Sequence, residues 1–379
     1  MSLSPSPVTP RSGRPNTTVV ARVCRKLLFD RLAMLGHGAI EIRETWDDGE
    51  KRRFGDREGG AVEAAIHTPD FYRSAVARGP LGIAESFMRG EWTSPDLVGV
   101  MRFFLRNQDV LLAMESGVAR LAAPLLRLAH RKRRNDRSGS RRNIREHYDI
   151  GNDFFSLMLD ETMTYSCALF DRADEPLHEA STRKLDRLCA MLQLEPGHRL
   201  LEIGTGWGSL ALHAAGKYGC RVTTTTISRE QARLARERIA ARGLERRIQV
   251  VEQDYRDLTG KYDRLISIEM IEAIGHEHLD DYFTACDRLL APGGRMALQA
   301  ITMNDTHFDY YVRAVDFIQK YVFPGSCLLS VRAMKKTLLD TSLSIENVLD
   351  IGQHYPPTLQ AWRHNVETNR AEIRALGYD

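Results

Sequence analysis

The sequence predicts an α/β fold, a doubly wound parallel sheet preceded by a small α+β module. Three observations carry this prediction. From residue 198 onward, short apolar or β-branched runs alternate with helical periodicity, the pattern of strand–helix–strand units. The turn after the first of these runs is rich in glycine. Residues 1–150 lack the alternation and carry a different charge, 26 Lys and Arg against 18 Asp and Glu, where the remainder has 27 against 32. A basic first part and an acidic second part point to different partners.

Residues 1–17 are rich in Pro, Ser and Arg and read as a disordered tail with no apolar face to bury and no secretory h-region. Residues 18–130 read as the small module. Within it, 18–35 has helical spacing (Val19, Val23, Leu27, Leu28, Leu32), and 39–45 alternates Ile40 and Ile42 with charges. Residues 61–67 form another short strand, and three helical pieces follow at 69–78, 81–87 and 95–106. Residues 111–130 are apolar and helical. The stretch 131–146 reads as a basic linker, with Arg131, Lys132, Arg133 and Arg134 in one run. Such a run is either a solvated linker or an anchor for an anionic surface. No nucleic-acid motif accompanies it, so a lipid surface is the preferred partner. No run of about eighteen apolar residues suggests a membrane span. The six cysteines are scattered without a C-x-x-C, which fits a reducing, cytoplasmic setting better than a disulfide framework.

The third region, 147–379, holds the alternation. Strands are expected at 198–203, 221–227, 248–253, 264–268 and 295–302, and helices at 209–218, 229–242 and 279–290. The first turn is Glu202-Ile-Gly-Thr-Gly-Trp-Gly208. Glycines at 204, 206 and 208 permit a tight turn and close backbone approach to a ligand. The spacing is not the dinucleotide fingerprint. An acid before the first glycine suits a cationic, amino-bearing ligand, which points to S-adenosylmethionine. The second strand ends in Thr rather than in an acid, so Thr226 and Gln231 must supply hydrogen bonds there, unless Glu230 turns inward. After the third strand, Asp254 and Tyr255 offer a carboxylate and an aromatic face for an adenine.

With these residues in view, the chain resembles the cyclopropane-fatty-acyl-phospholipid synthases, a group that includes the mycolic acid cyclopropane synthases. The resemblance is carried by His147-Tyr-Asp-Ile-Gly-Asn-Asp-Phe-Phe155, Thr164-Tyr-Ser-Cys-Ala168, the glycine turn, Thr226-Ile-Ser-Arg-Glu-Gln231 and Tyr321-Val-Phe-Pro-Gly325. It is strong over residues 140–379 and looser before them, where that family has a small lipid-binding-like domain. It implies a Rossmann-like class I methyltransferase domain. It further implies methyl transfer from S-adenosylmethionine to a cis double bond of a phospholipid acyl chain. A carbocation forms, and a bound bicarbonate takes the proton as a cyclopropane ring closes. By the same mapping the anion is held by Cys167, Glu272, Gln299, Ile301 and Tyr355. The methyl donor is held by Tyr165, Ser166, Glu202, Gly204, Thr205, Gly206, Trp207, Gly208, Thr226, Gln231, Asp254 and Tyr255.

The resemblance also implies an enzyme peripheral to the inner face of the membrane, and a homodimer. Gln299 departs from the family, which has His there; an amide can donate to an anion but cannot share a proton at neutral pH. The family also leads one to expect further chain beyond Asp379, with another pocket Cys. Phe308, Tyr310, Tyr311 and Phe317 suggest either helix packing or a wall for an acyl chain and a cation. Alternative outcomes are a methyl-branched or methylene product without ring closure, a small-amine N-methyltransferase, and a non-catalytic lipid-binding relative.

Overall fold

The computed structural model describes residues 18–46, 50–56, 58–108, 151–172 and 174–378. The apolar piece at 111–130 and the basic run at 131–146 lie outside them. Two compact units emerge: residues 18–108 with the short stretch 314–317, and residues 151–313 with 318–378. Among the described residues, no helix is long and apolar enough to cross a membrane.

The first unit opens with α1 (Val19–Leu32), capped by the Thr18 hydroxyl, which accepts from the Ala21 N–H. Strands β1 (Ala39–Glu44), β2 (Lys51–Gly55), β3 (Ala61–Ile66) and β4 (Trp92–Thr93) form a sheet in the order β2-β1-β3-β4. The β1–β3 pair is parallel and the other two are antiparallel. Helix α2 (Asp70–Met88) absorbs two of the expected pieces and bends at Gly79, whose φ is +55° just before Pro80. Helix α3 (Leu97–Arg106) completes the unit. The core joins Phe29, Ile40, Ile66, Tyr72, Trp92 and Phe103. Strand β2 escapes the sequence pattern because Lys51-Arg-Arg53 is charged and exposed, an edge strand with no buried alternation.

The second unit is built on five parallel strands: β5 (Arg199–Ile203), β6 (Arg221–Thr225), β7 (Ile248–Val251), β8 (Tyr262–Ile268) and β9 (Leu290–Gln299). Their order is β7-β6-β5-β8-β9. Buried on both faces, the central strands read as continuous apolar runs rather than alternation; Leu200, Leu201 and Ile203 are at most 1% exposed. Between the strands lie α6 (Ser209–Lys217), α7 (Arg229–Ala241) and α8 (Leu279–Leu289), while α4 (Asn152–Met158) and α5 (Leu177–Met191) precede the sheet. After it come α9 (Asp305–Tyr311), α10 (Val331–Leu338), α11 (Tyr355–Thr368) and α12 (Arg370–Ala375). Strand β9 starts earlier and ends sooner than its sequence suggests. Its pairing with β8 resumes past Pro292-Gly293-Gly294 after a register shift. It stops at Gln299, just before the Ile301 N–H turns to a side chain, Glu272. Tyr311 and Phe308 pack into the core beside β8 and α8, whereas Tyr310 is exposed.

Candidate active site

The strand order reverses around β5, between β6 and β8, and ligands of open α/β sheets bind at such a switch point, beyond the strand C-termini. The glycine turn sits there. Gly204, Gly206 and Gly208 all have positive φ, and a Cβ built on Gly206 would meet nothing within 4 Å among the described residues beyond its chain neighbours. The Gly204 and Thr205 N–H groups donate to the Thr225 carbonyl, which fixes the turn to β6. Arg238 of α7 donates to the carbonyls of Trp207 and Thr162, and Ser209 donates to those of Thr162 and Met163. The turn is thus locked to the loop before the Thr164–Ala168 motif. Glu202 lies beneath it, 4% exposed, with Oε2 lacking a hydrogen-bond partner among the described residues. Burial pushes its carboxyl up to about 8. An open turn with positive φ above an unpartnered buried carboxyl fits a cationic, amino-bearing ligand.

The other residues assigned to the methyl donor fall into distinct settings. Thr226 and Gln231 meet, the Thr226 hydroxyl donating to Gln231 Oε1 at 2.9 Å. Glu230 turns outward to Arg233. Asp254 takes both guanidinium donors of Arg256, at 2.8 and 2.6 Å. Tyr255 packs edge-on against Tyr282 in the core. Trp207 is buried, its indole N–H donating to Asn152. Tyr165 lies in an aromatic group with Phe155 and Trp362, both 5.1 Å away between ring centroids, and Phe323, 6.4 Å away and nearly parallel. Such ring faces favour a nearby cation.

Behind this group lies a carboxylate that the motif mapping passed over. Glu269 follows β8 with φ +46°, a left-handed conformation that costs a non-glycine residue roughly 1–3 kcal/mol. Its Oε1 accepts from the Cys167 N–H at 3.0 Å and from Gln299 Nε2 at 2.9 Å. Its Oε2 accepts from the Tyr355 hydroxyl at 2.7 Å. Gln299 also donates to the Cys167 carbonyl, at 3.2 Å. The Thr164–Ala168 motif is held from other sides as well: Lys184 Nζ donates to Ser166 Oγ, and the Ala168 N–H donates to Thr358 of α11. Lys184 is itself buried, and burial lowers its ammonium to about 8 against the raising fields of Glu269 and Cys167. Burial raises the Cys167 thiol to about 11, so it is not a thiolate at neutral pH.

Cys167, Gln299 and Tyr355 therefore converge, but on Glu269. Glu272 and Ile301 pair with each other, the Ile301 N–H donating to Glu272 Oε1 at 2.5 Å. Glu272 Oε2 is buried without a hydrogen-bond partner among the described residues, and burial first, then Glu269, pushes this carboxyl up to about 8. The residues do not fit a separate bicarbonate. Three of its expected donors (the Ile301 N–H, the Tyr355 hydroxyl and the Gln299 amide) already serve carboxylates of the chain. The nearby atoms without a partner among the described residues, Glu272 Oε2 and Gln299 Oε1, are oxygens. Sequence reasoning could have noticed two acids three residues apart after a buried strand, but not the left-handed backbone that aims the first of them.

The raised Glu272 pKa has a consequence for stability. Its folded value lies above the ordinary carboxylate range, so its contribution is fully present at low pH and is lost as pH rises toward and through about 8. Glu272→Gln should therefore flatten the fall in denaturation midpoint between ~pH 5 and ~pH 8. An unchanged pH profile would place the titration elsewhere.

A family model described as mycolic acid cyclopropane synthetase matches residues 135–379. The chain belongs to this family. With it comes an S-adenosylmethionine-dependent methyltransferase of class I fold. The tuberculostearic acid methyltransferase UfaA1 of Mycobacterium tuberculosis is 38% identical over 349 residues, 90% of this chain and 81% of that protein. The cyclopropane-fatty-acyl-phospholipid synthase of Escherichia coli is 38% identical over 304 residues, 79% of this chain and 75% of that protein. Among solved structures, mycolic acid cyclopropane synthase CmaA1 complexed with SAH and CTAB is 32% identical, with a TM-score of 0.58. That match covers 62% of this chain and 86% of the other. The bound SAH in that relative agrees with S-adenosylmethionine as the methyl donor of this family.

Proposed function

We propose that the protein transfers the methyl group of S-adenosylmethionine to a cis double bond of an unsaturated phospholipid acyl chain. The observation that carries this reading is the placement of an aromatic group and a multiply bonded carboxylate around the Thr164–Ala168 motif, which is locked to the glycine turn. S-adenosylmethionine is a substrate here: the alkene forms a C–C bond to its methyl as the C–S bond breaks. The chain's own part is to hold the acyl chain beside the rings of Tyr165, Phe155, Trp362 and Phe323, away from water, while a cation exists on it. Loss of a proton then ends the reaction. If the proton leaves the new methyl directly, a cyclopropane closes; after a 1,2-hydride shift, the same loss gives an exocyclic methylene.

Ring closure is the first reading, on the family and on the synthase relative. The methylene outcome is favoured by Gln299 in place of the family His, and by the match over 90% of this chain to a protein named a methyltransferase. Labelled S-adenosylmethionine with unsaturated phospholipid vesicles, followed by fatty-acid mass spectrometry, tests the reading. Label in the acyl chains is expected; a product that takes up hydrogen is the methylene, and one that does not is the ring. Label appearing only in a small amine would overturn the proposal.

The residue 18–130 module is assigned to lipid contact, and the basic stretch 131–146 to a diffuse anchor on the anionic inner face of the membrane. Attraction of this kind is screened over about 10 Å at 0.1 M salt. Sedimentation with anionic vesicles should weaken with added salt and with neutral lipid. Equal binding to neutral and anionic vesicles would leave the run as linker.

A further inference from the structure

A carboxylate of the chain sits on the donor set that the sequence assigned to a free anion. The Tyr355 hydroxyl, the Gln299 amide and the Cys167 N–H reach Glu269 at 2.7, 2.9 and 3.0 Å. These bonds orient both carboxylate oxygens. Oε2 accepts from Tyr355 and has a second lone pair with which to take a proton. The backbone at position 269 is one a glycine would adopt freely, so the side chain is placed there against the backbone preference. Strain of that kind accompanies functional sites. Glu272 lies three residues on, with a buried oxygen that has no partner among the described residues.

Resting on the acyl-chain reading above, we propose that Glu269 is the built-in base of this enzyme, taking the proton from the alkylated chain in place of bicarbonate. The C–H bond of the added methyl group breaks. Its electron pair closes the ring or forms the exocyclic double bond, and the proton goes to Glu269 Oε2. The negative carboxylate and the positive chain are neutralised together, with no oxidant or reductant. The proton returns to solvent after product leaves.

Two variants of the full chain test this. Glu269→Gly relieves the positive φ and vacates the donor set; Glu269→Gln keeps the shape but cannot act as a base. Methyl transfer to unsaturated phospholipid vesicles is measured in carbon dioxide-free buffer and with added sodium bicarbonate. Wild type should turn over equally in both. Both variants should lose about a hundredfold or more in the depleted buffer, the scale of a positioned base. Bicarbonate should restore Glu269→Gly, whose donors are free, and leave Glu269→Gln inactive. A wild type that needs bicarbonate, or a Glu269→Gly protein that turns over normally in depleted buffer, would overturn the proposal.

A readout free of turnover separates this inference from the reading beneath it. The ¹³C signal of labelled bicarbonate should broaden with Glu269→Gly and not with wild type. If wild type labels no vesicle lipid, the acyl-chain reading fails. The NMR comparison still decides whether Glu269 replaces the anion, and equal broadening by both proteins would sink that assignment.

Discussion

The Gly206→Val protein is expected to fold and to lose S-adenosylmethionine binding. Gly206 has φ +51°, and among the described residues a Cβ there would meet no atom beyond its chain neighbours within 4 Å. The first atom of a side chain at this position therefore has room among the described residues. The substitution places two methyl groups where the backbone must approach a ligand, and an L-residue in this conformation costs about 1–2 kcal/mol. Calorimetry should show affinity lower by about a hundredfold, equivalent to roughly 3 kcal/mol. Gly204→Ala is the contrast. Its added carbon would stand 3.2 Å from Met270 at φ +104°, so it should lower the denaturation midpoint as well as the affinity. Undiminished affinity in folded Gly206→Val would move the methyl donor away from the turn.

What the sequence made legible follows from burial. Strands β5 to β8 lie between helical layers, and their apolar and β-branched runs announce them. Helices α6, α7 and α8 end within a residue or two of where periodicity and Pro292-Gly293 put them. The exposed edge strand β2 carries no such signal, because its Lys51-Arg-Arg53 face meets solvent. The candidate site was legible as a set of residue types, less so as an arrangement. Cys167, Gln299 and Tyr355 come from three separate parts of the chain and meet at Glu269. Motif mapping chose Glu272 over Glu269, since nothing in Glu269-Met-Ile-Glu272 tells which acid meets Cys167, Gln299 and Tyr355. The positive φ at 269 arises from the tertiary fold: the Glu269 N–H donates to the Gln299 carbonyl of the neighbouring strand.

Gln299→Leu should cut turnover by about ten- to a thousandfold while leaving methyl-donor affinity intact, the range typical of losing one preorganised donor. The amide nitrogen of Gln299 bridges Glu269 Oε1 and the Cys167 carbonyl, at 2.9 and 3.2 Å. Leucine nearly fills its volume and donates to neither. Glu269 keeps the Tyr355 and Cys167 N–H donors but is free to swing about them. The Cys167 carbonyl loses this donor in a buried setting, a loss worth about 1–3 kcal/mol, so the denaturation midpoint should also drop. Fall of kcat at constant donor affinity separates positioning from general damage, because the glycine turn is held by other bonds, from Arg238 and Ser209. Gln299→His should land between wild type and Leu: neutral imidazole offers one N–H donor, enough for Glu269 or for the Cys167 carbonyl but not both. A Leu variant with wild-type turnover would show that the amide does not position the carboxylate. The convergence on Glu269 would then be packing rather than chemistry.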